Sequence, residues 1–321
     1  MGAARDPAEP AVRTRGRRIR LLAAAALLVT SGCELQEVTL AEVGDAVIAE
    51  IILEAGSARQ LALLHRTLGT GGGAAVTGAA IEVRDAAGRA MAFEPAPAED
   101  CLDLDEEREG ANPGTCYRSV EGAPFTVEPA ATYTLSIRLD DGGRLTGRTT
   151  VPGSFAVLTP AAVRCAVPVD STLELVWTTS PGAWVYIAET SLRGIRAALR
   201  PLGIDVPRDP LRLFGLAITN EDTTIVFPTE FGLFDRADPE LGPVVLALRG
   251  GLPPGVLADV VVLAADRNYV NWVRGGNFNP SGVIRVPSVS GDGTGVFGSV
   301  VPVRRRLESR PAADGLPRCV G

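Results

Sequence analysis

Two short segments joined by an acidic, glycine-containing turn constrain the fold of this chain most. Tyr133–Leu139 reads YTLSIRL, with every second residue apolar, and Leu145–Val151 returns after the sequence DDGG at positions 140–143. A period of two places alternate side chains on opposite faces of a strand, and a turn of this composition joins antiparallel neighbours. The segments therefore predict a β-hairpin with one buried face.

Similar strand patterns recur along the chain. Before residue 154 they include AVIAEIILE from Ala46, RQLALLHRTL from Arg59, and two short runs joined by the turn signal DAAG at positions 85–88. Six or seven short strands at this spacing are typical of an immunoglobulin-like (Ig-like) β-sandwich. Later predicted strands are Leu173–Thr178, Trp184–Glu189, Leu213–Thr219, Thr224–Phe227, Val244–Leu248 and Val256–Ala264.

One later segment differs from the strands around it. Thr190–Leu202 carries apolar residues at helical spacing, with Ser191 as a candidate cap and Pro201 as a stop signal. The predicted fold class is therefore mostly β: an Ig-like β-sandwich over residues 46–154, followed over residues 155–321 by a second antiparallel β domain with one short amphipathic helix.

The residue inventory excludes several activities. The 321 residues contain no lysine and a single histidine, His65, so a Walker lysine, Schiff-base chemistry and multi-histidine zinc sites are all excluded. The formal charge is −7, whereas binding to nucleic acid requires a basic face. We therefore expect no nucleic-acid partner. His65 lies within an apolar strand pattern, where a structural role is the favoured interpretation.

The amino terminus has three features in the order of an export signal. Five arginines between Arg13 and Arg20 precede the apolar run Leu21–Val29, which is too short to span a bilayer, and small residues then lead to Cys33. The last segment, VTSGC, resembles the lipobox of bacterial lipoproteins. The resemblance implies a signal peptide over residues 1–32, a lipidated Cys33 and a tether over residues 33–45. An uncleaved signal anchor and an ordinary secretory signal remain alternatives.

The expected location is the bacterial outer membrane, with the lipid anchor facing the periplasm or the cell surface. Glu34 follows the cysteine, where an aspartate would favour retention in the inner membrane. Cleavage before Cys33 removes six arginines, Asp6 and Glu9, so the charge changes from −7 to −11. Such a chain repels anionic headgroups, so its membrane contact is expected to come from the lipid.

Four further cysteines remain in an oxidising compartment, where disulfides persist. Three pairings connect them. We favour Cys101 with Cys116, which brackets an acidic segment, and Cys165 with Cys319, which ties the start of the second half to the chain's end. A metal site is the alternative, but no CxxC spacing supports it.

The acidic segment between Glu99 and Glu109 contains seven carboxylates. Oxygen ligands at this density can hold Ca²⁺ at an extracellular site, with Asp103 and Asp105 as the candidate ligands. The order of residues in an EF-hand loop is missing, and charge runs are usually solvated. Calcium is therefore the one metal that the sequence leaves open, and no other cofactor is expected.

Most of the few large aromatic residues lie in the second half, namely Trp177, Trp184, Tyr186, Tyr269 and Trp272. Exposed together they would form a platform for a sugar or peptide, and buried they would form the core of a β fold, which is the favoured interpretation. The segment from Arg267 is predicted to be a recognition loop; its candidate binding residues are Tyr269, Trp272, Asn277 and Asn279. The pattern GxGxxG at positions 293–298 lacks the βαβ context of a dinucleotide site, so we interpret it as a tight loop before a strand.

Several short motifs resemble one uncharacterised family of bacterial outer-membrane lipoproteins with an amino-terminal Ig-like domain. They are VTGAAIEVRDAAGR from Val76, ATYTLSI from Ala131, TTVP ending at Pro152, and Asn277–Pro280 leading to Gly291–Gly298. The resemblance implies the sandwich fold, the outer-membrane address and a partner among energised outer-membrane transporters. It implies no catalytic residues.

These features together predict a lipid-anchored envelope protein that is not an enzyme. We expect a binding or scaffold component that is accessory to an outer-membrane transport complex, with the membrane and a transporter or another envelope protein as partners. The alternatives are a carboxylate-based glycoside hydrolase or carbohydrate-binding protein of the envelope, and a purely structural envelope protein.

Overall fold

The chain after residue 45 forms β-strands with four short helices between them in the described residues, as seen in a computed structural model. The structure describes residues 46–67, 75–101, 114–216, 219–274, 286–310 and 316–319. The strands are β1 (Val47–Glu54), β2 (Leu61–Arg66), β3 (Ala80–Arg84), β4 (Ala90–Pro95), β5 (Thr115–Ser119), β6 (Thr132–Arg138), β7 (Arg144–Thr150), β8 (Val157–Thr159), β9 (Arg164–Val167), β10 (Leu173–Trp177), β11 (Val185–Arg193), β12 (Leu211–Leu216), β13 (Thr224–Phe227), β14 (Leu257–Ala265), β15 (Val289–Gly291) and β16 (Gly293–Ser309). The helices are α1 (Ala98–Cys101), α2 (Ile195–Leu199), α3 (Gly242–Leu248) and α4 (Arg267–Arg274). The mostly β class predicted from the sequence is confirmed.

Nine strands close into a ring. Their hydrogen-bonded order is β1-β2-β5-β4-β3-β6-β7-β15-β16, and β16 also pairs with β1, so that Val47 lies opposite Gly293 and Glu54 opposite Val300. The β1–β16 pair is parallel and the other pairs of the ring are antiparallel. Closure satisfies strand backbone groups that an open sheet would leave at its edges.

The long strand β16 joins the ring to the rest of the sheet. Its second half pairs with β14 and β9, and β14 continues the sheet to β11 and β12. A separate three-stranded sheet has the order β13-β10-β8. One sheet therefore contains strands from both sides of the predicted domain boundary at residues 154 and 155. The boundary and the Ig-like sandwich stay predictions.

Alternating burial fixes which face of each strand packs in the core. In β6 the side chains of Tyr133, Leu135 and Ile137 are buried and their neighbours are not, as the opening hairpin pattern predicts. β6 pairs with β7 in the antiparallel register that the turn requires. Trp177 and Tyr186 are also buried, with ring centroids 5.4 Å apart, so these two aromatics belong to the core.

The glycines of the GxGxxG pattern lie within β16, so the predicted loop is wrong there. They are needed because neighbouring backbone approaches closely. A Cβ atom added at Gly293 would lie 2.5 Å from the carbonyl oxygen of Val47, and one at Gly295 would lie 2.0 Å from that of Ala49. These glycines let β16 pack against β1, and their role is structural.

The predicted helix over Thr190–Leu202 is shorter than expected. Thr190 to Arg193 belong to β11, which has a strand partner on each side, and these ladder hydrogen bonds outweigh the helical spacing of the side chains. Gly194 breaks the chain direction with φ 82°, and helix α2 follows, continued by a 3-10 turn over Arg200–Leu202. Ser191 therefore does not cap the helix.

The predicted strand Val244–Leu248 is wrong, because this segment forms helix α3. Pro243 occupies the first turn, where proline favours a helix, and the buried side chains are Val244, Val245 and Leu248. That spacing forms one helical face. The β-branched residues favoured a strand from sequence alone, but burial of this face in the core determines the outcome.

Two disulfides connect distant parts of the fold with the favoured pairing. Cys101 in α1 is bonded to Cys116 in β5, and Cys165 in β9 is bonded to Cys319. The second bond holds residues 316–319 beside β9, where the Cys319 amide also donates to the carbonyl of Ala166 at 2.9 Å. Within the described residues, no helix has the length and apolar character needed to cross a bilayer.

Candidate functional site: a cleft beside helix α4

Helix α4 occupies the first part of the segment predicted to be a recognition loop. Asp266 starts it, since its Oδ1 accepts a hydrogen bond from the Tyr269 amide at 2.9 Å. An aspartate in this position satisfies an amide of the first turn that has no partner within the helix. The loop prediction is thus wrong for residues 267–274, and the capping aspartate was the sequence signal that could have identified the helix.

The Asp266 carboxylate is also part of a buried polar cluster. Its side chain is 5% exposed, and its Oδ2 accepts a hydrogen bond of 2.6 Å from Thr149 Oγ1. Thr149 Oγ1 lies 3.0 Å from Ser299 Oγ. Burial raises the pKa of Asp266, and hydrogen bonds from Thr149, Tyr269 and Ser299 offset only part of that effect. The cluster links β7, β16 and the start of α4.

The raised pKa predicts how stability depends on pH. The folded protein binds the Asp266 proton more tightly than the unfolded chain, so this contribution to stability is fully present below the usual aspartate pKa of 3.8. It is lost as the pH rises through the raised value. We expect Asp266→Asn to become progressively more stable relative to wild type across that window, measured by urea unfolding at a series of pH values.

Asp259 provides a control, because its contribution to stability changes with pH in the opposite direction. Burial opposes its ionisation, but hydrogen bonds from Arg306, at 2.7 Å, and from Arg193 hold the pKa of Asp259 below its usual range. Stability from this group is present above the unfolded pKa and is lost as the pH falls. Asp259→Asn should therefore lose stability relative to wild type as the pH rises. A pH-independent difference for Asp266→Asn would contradict the assignment.

Helix α4 is fixed to the sheet by its first turn. Asn268 Nδ2 donates to the carbonyl oxygens of Arg148, at 2.8 Å, and of Phe297, at 2.9 Å. Val270 and Tyr269 on the same helix form a small apolar cluster with side chains of the sheet, separate from the main core. Burial, with a smaller contribution from Glu189, raises the pKa of Tyr269 to about 12.

The four predicted binding residues therefore fall into two groups. Tyr269 is half-buried against the sheet and Trp272 is 9% exposed, so these aromatics present little free surface. Asn277 and Asn279 lie outside the described residues. The binding role of the four stays a prediction.

An open cleft of about 630 Å³ lies where α4 begins. Two arginines, Arg148 on β7 and Arg267 on α4, line it, and neither has an ion-pair partner among the residues that the structure describes. The Arg267 guanidinium lies 5.3 Å from the ring centroid of Trp184, which is 48% exposed. Trp184 does not itself line the cleft, and the lining residues besides the two arginines are Ala130, Thr149, Thr150, Val151, Pro181, Gly182, Asp266 and Asn268.

Sequence reasoning did not bring these groups together. Trp184 was one of several large aromatics, and the core interpretation holds for Trp177 and Tyr186 but not for it. The available signal was the Pro-Gly turn at 181–182, which places Trp184 before β11. Arg148 lies in an alternating strand, where charged residues face outward by default. The cleft joins two arginines and polar groups in one concave surface, and the exposed indole of Trp184 contacts one of these arginines, which suits ligand binding.

A second cleft, of about 500 Å³, lies at the β6–β7 turn and the residue before β16. Two carboxylates line it. Asp141 Oδ1 accepts a hydrogen bond of 2.9 Å from the Gly143 amide, and Asp292 Oδ2 accepts one of 2.8 Å from the Arg144 amide. Arg66 Nη2 lies 4.0 Å from Asp141 Oδ2. Both aspartates are exposed.

The remaining candidate residues lie elsewhere. His65 on β2 has its Nε2 3.5 Å from Glu50 Oε1 of the neighbouring strand β1. In the described part of the chain, no three histidine, cysteine, aspartate or glutamate side chains form a group able to hold a metal ion. Asp103 and Asp105 lie outside it, so the calcium site stays a prediction.

Comparison with known proteins gives no functional assignment. No family model matches the chain, and no curated protein matches it. Among solved structures, fibronectin(III)-like modules of Clostridium thermocellum CbhA align with 80% of this chain and 90% of their own length. The sequence identity is 11% and the TM-score is 0.17, a likeness too small to support any argument about function.

Proposed function

We propose that this protein is a lipid-anchored component of the bacterial envelope that acts by binding, without catalysis. The observation that carries the proposal is the cleft beside α4, which is lined by Arg148 and Arg267 without ion-pair partners in the part of the chain that the structure describes, and where Arg267 contacts the half-exposed Trp184. Arginine and tryptophan are the residues enriched at the energetic centres of binding surfaces. Arg148, which lines the cleft, lies on β7, a strand of the closed ring.

The location of the protein in the envelope and its binding partner are part of the same proposal. The arginine-rich leader, the short apolar run and Cys33 support lipidation and outer-membrane delivery. The two disulfides support an oxidising compartment. Membership of the uncharacterised lipoprotein family, an Ig-like arrangement of the first strands and an accessory role beside an outer-membrane transporter are proposed from the sequence motifs.

Whole-cell crosslinking tests the binding role. Cells that express wild type, Cys33→Ser or Arg249→Gln are treated with a short amine- and carboxylate-reactive crosslinker, and products are identified by mass spectrometry. Arg249 is exposed at the end of α3, far along the chain from the anchor, and serves as the control. We expect one envelope protein to crosslink with wild type and Arg249→Gln but not with Cys33→Ser. Equal products from all three would contradict the proposal.

A glycoside hydrolase is the second candidate function, supported by the two carboxylates that line the cleft at the β6–β7 turn. Such enzymes place two carboxyl groups on either side of the scissile bond. If this cleft is catalytic, Asp292→Asn and Asp141→Asn each abolish sugar release from envelope polysaccharides, while Asp170→Asn, an exposed aspartate elsewhere, does not. Reducing-sugar release unaffected by both substitutions would remove this candidate.

A further inference from the structure

We infer that the cleft beside α4 binds a phosphate group, which pairs with the guanidinium groups of Arg148 and Arg267. The inference rests on the proposed binding function and names the chemical class of the ligand. A soluble phosphate ester and the headgroup of a phospholipid both carry this group, and the titrations distinguish these two sources.

The neutral polar side chains that line the cleft are already hydrogen-bonded within the protein. Asn268 Nδ2 donates to two backbone carbonyl oxygens. Thr150 Oγ1 lies 3.0 Å from Thr132 Oγ1, and Thr149 Oγ1 donates to Asp266 Oδ2. A ligand that is recognised through neutral hydroxyl or amide groups would have to replace these hydrogen bonds, so it gains little from the cleft.

The Asp266 carboxylate also lines the cleft, but its oxygens are engaged inside the protein. Asp266 is 5% exposed, its Oδ1 accepts the Tyr269 amide, and its Oδ2 accepts Thr149 Oγ1 at 2.6 Å. It is the one acidic residue that lines the cleft, where two arginines also lie. The charged lining therefore has an excess of positive charge, although the chain as a whole is acidic.

The two guanidinium groups are the polar groups that remain for a ligand. Arg148 and Arg267 have no ion-pair partner within the described ranges. The Arg267 guanidinium faces the Trp184 ring, and such a stacked group keeps its N–H donors in its own plane. A guanidinium has five donors and no acceptor. The ligand that matches such a lining carries negative charge and acceptor oxygens.

Charge and shape favour phosphate over a carboxylate. A phosphate monoester carries about −1.5 to −2 charges at pH 7 and has three acceptor oxygens, so it can pair with two guanidinium groups at once. A carboxylate carries a single charge. The cleft volume of about 630 Å³ exceeds that of one phosphate group and leaves room for the rest of an ester.

Isothermal titration of the full chain in detergent tests the inference, with inorganic phosphate as the probe and acetate as the carboxylate control. We expect phosphate to bind more tightly than acetate at equal ionic strength. Arg148→Gln and Arg267→Gln should each weaken phosphate binding at least about 10-fold. Both arginines are exposed, so neither substitution should disturb the fold. Arg249→Gln, which removes an exposed arginine at the end of α3, should bind as wild type does.

Two further probes identify the source of the phosphate group. Glycerol phosphate represents a soluble ester, and phosphatidic acid mixed into the detergent represents a lipid headgroup; the tighter of the two names the source. If they bind equally, the phosphate group alone is recognised. We expect both to bind more weakly to the two arginine variants.

Three results would each overturn the inference: no binding of phosphate, acetate binding as tight as that of phosphate, or phosphate binding that is unchanged in both arginine variants. The acylation state and the crosslinked partner are measured on the same preparation. If phosphate fails to bind while these are found, the phosphate assignment is wrong and the proposed envelope function stands.

Discussion

A chain with both Cys165 and Cys319 replaced by alanine is expected to lose about 5 kcal/mol of unfolding free energy. The disulfide spans 154 residues of sequence, and in the loop-entropy account a cross-link stabilises by restricting the unfolded chain, more so for a longer loop. The bond also holds the terminal segment 316–319 against β9, next to β16. A loss of this size is a large part of the total stability of an ordinary domain, about 5–15 kcal/mol.

The shorter disulfide provides the matched comparison. Cys101 and Cys116 are 15 residues apart, so their replacement by alanine is expected to cost about 3 kcal/mol. Urea unfolding followed by circular dichroism gives both values, and the slope of each transition reports whether the unfolded state has changed. A short-loop variant that is destabilised as much as the long-loop variant would contradict the loop-entropy explanation.

Gly295→Ala is expected to destabilise the fold by about 4 kcal/mol or more, at the upper end of single-substitution effects. Gly295 has φ 136°, a region that L-residues rarely adopt, and the new Cβ would lie 2.0 Å from the carbonyl oxygen of Ala49. The obstacle is backbone in the parallel β1–β16 pair, so relief requires these two strands to separate. The ring closes at this pair.

The same substitution at Gly56 measures the cost of backbone strain without this clash. It also has a positive φ, 76°, but an added Cβ there meets no atom within 4 Å. Gly56→Ala is expected to cost only about 1–2 kcal/mol, the conformational penalty alone. Thermal or urea unfolding of the two variants measures the difference. Equal destabilisation would show that close approach of β1 does not explain the glycine at position 295.

The local β structure was predictable because its signal is local. Strands were found within one residue of the bounds predicted from the alternation in Tyr133–Leu139 and from the run Thr224–Phe227. The turn predicted at 85–88 joins two paired strands, β3 and β4. Ring closure was not predictable, because β1 and β16 are more than 200 residues apart in sequence. The only sequence signal of their pairing is the glycines of β16 at which the backbone of β1 approaches closely. The errors at α2 and α3 arose where tertiary packing outweighed the local pattern.

The candidate site was predictable only in part. Sequence pointed to the segment from Arg267 and to the aromatic residues, but it placed recognition on Tyr269, which packs against the sheet, and on Trp272, which is buried. The cleft is built from β7, the turn before β11 and α4, which are separated by tens of residues. No spacing rule brings Arg148 and Arg267 to one cleft or places Trp184 against Arg267.

The most direct test of the account is the intact mass of the protein isolated from a bacterial envelope, compared with that of the Cys33→Ser variant. The proposed lipid anchor on Cys33 is the property on which the proposed outer-membrane location and envelope partner depend. We predict that wild type lacks residues 1–32 and carries acyl chains on Cys33, whereas the variant carries none. A wild-type mass that corresponds to an unacylated chain, with or without its leader, would contradict the account.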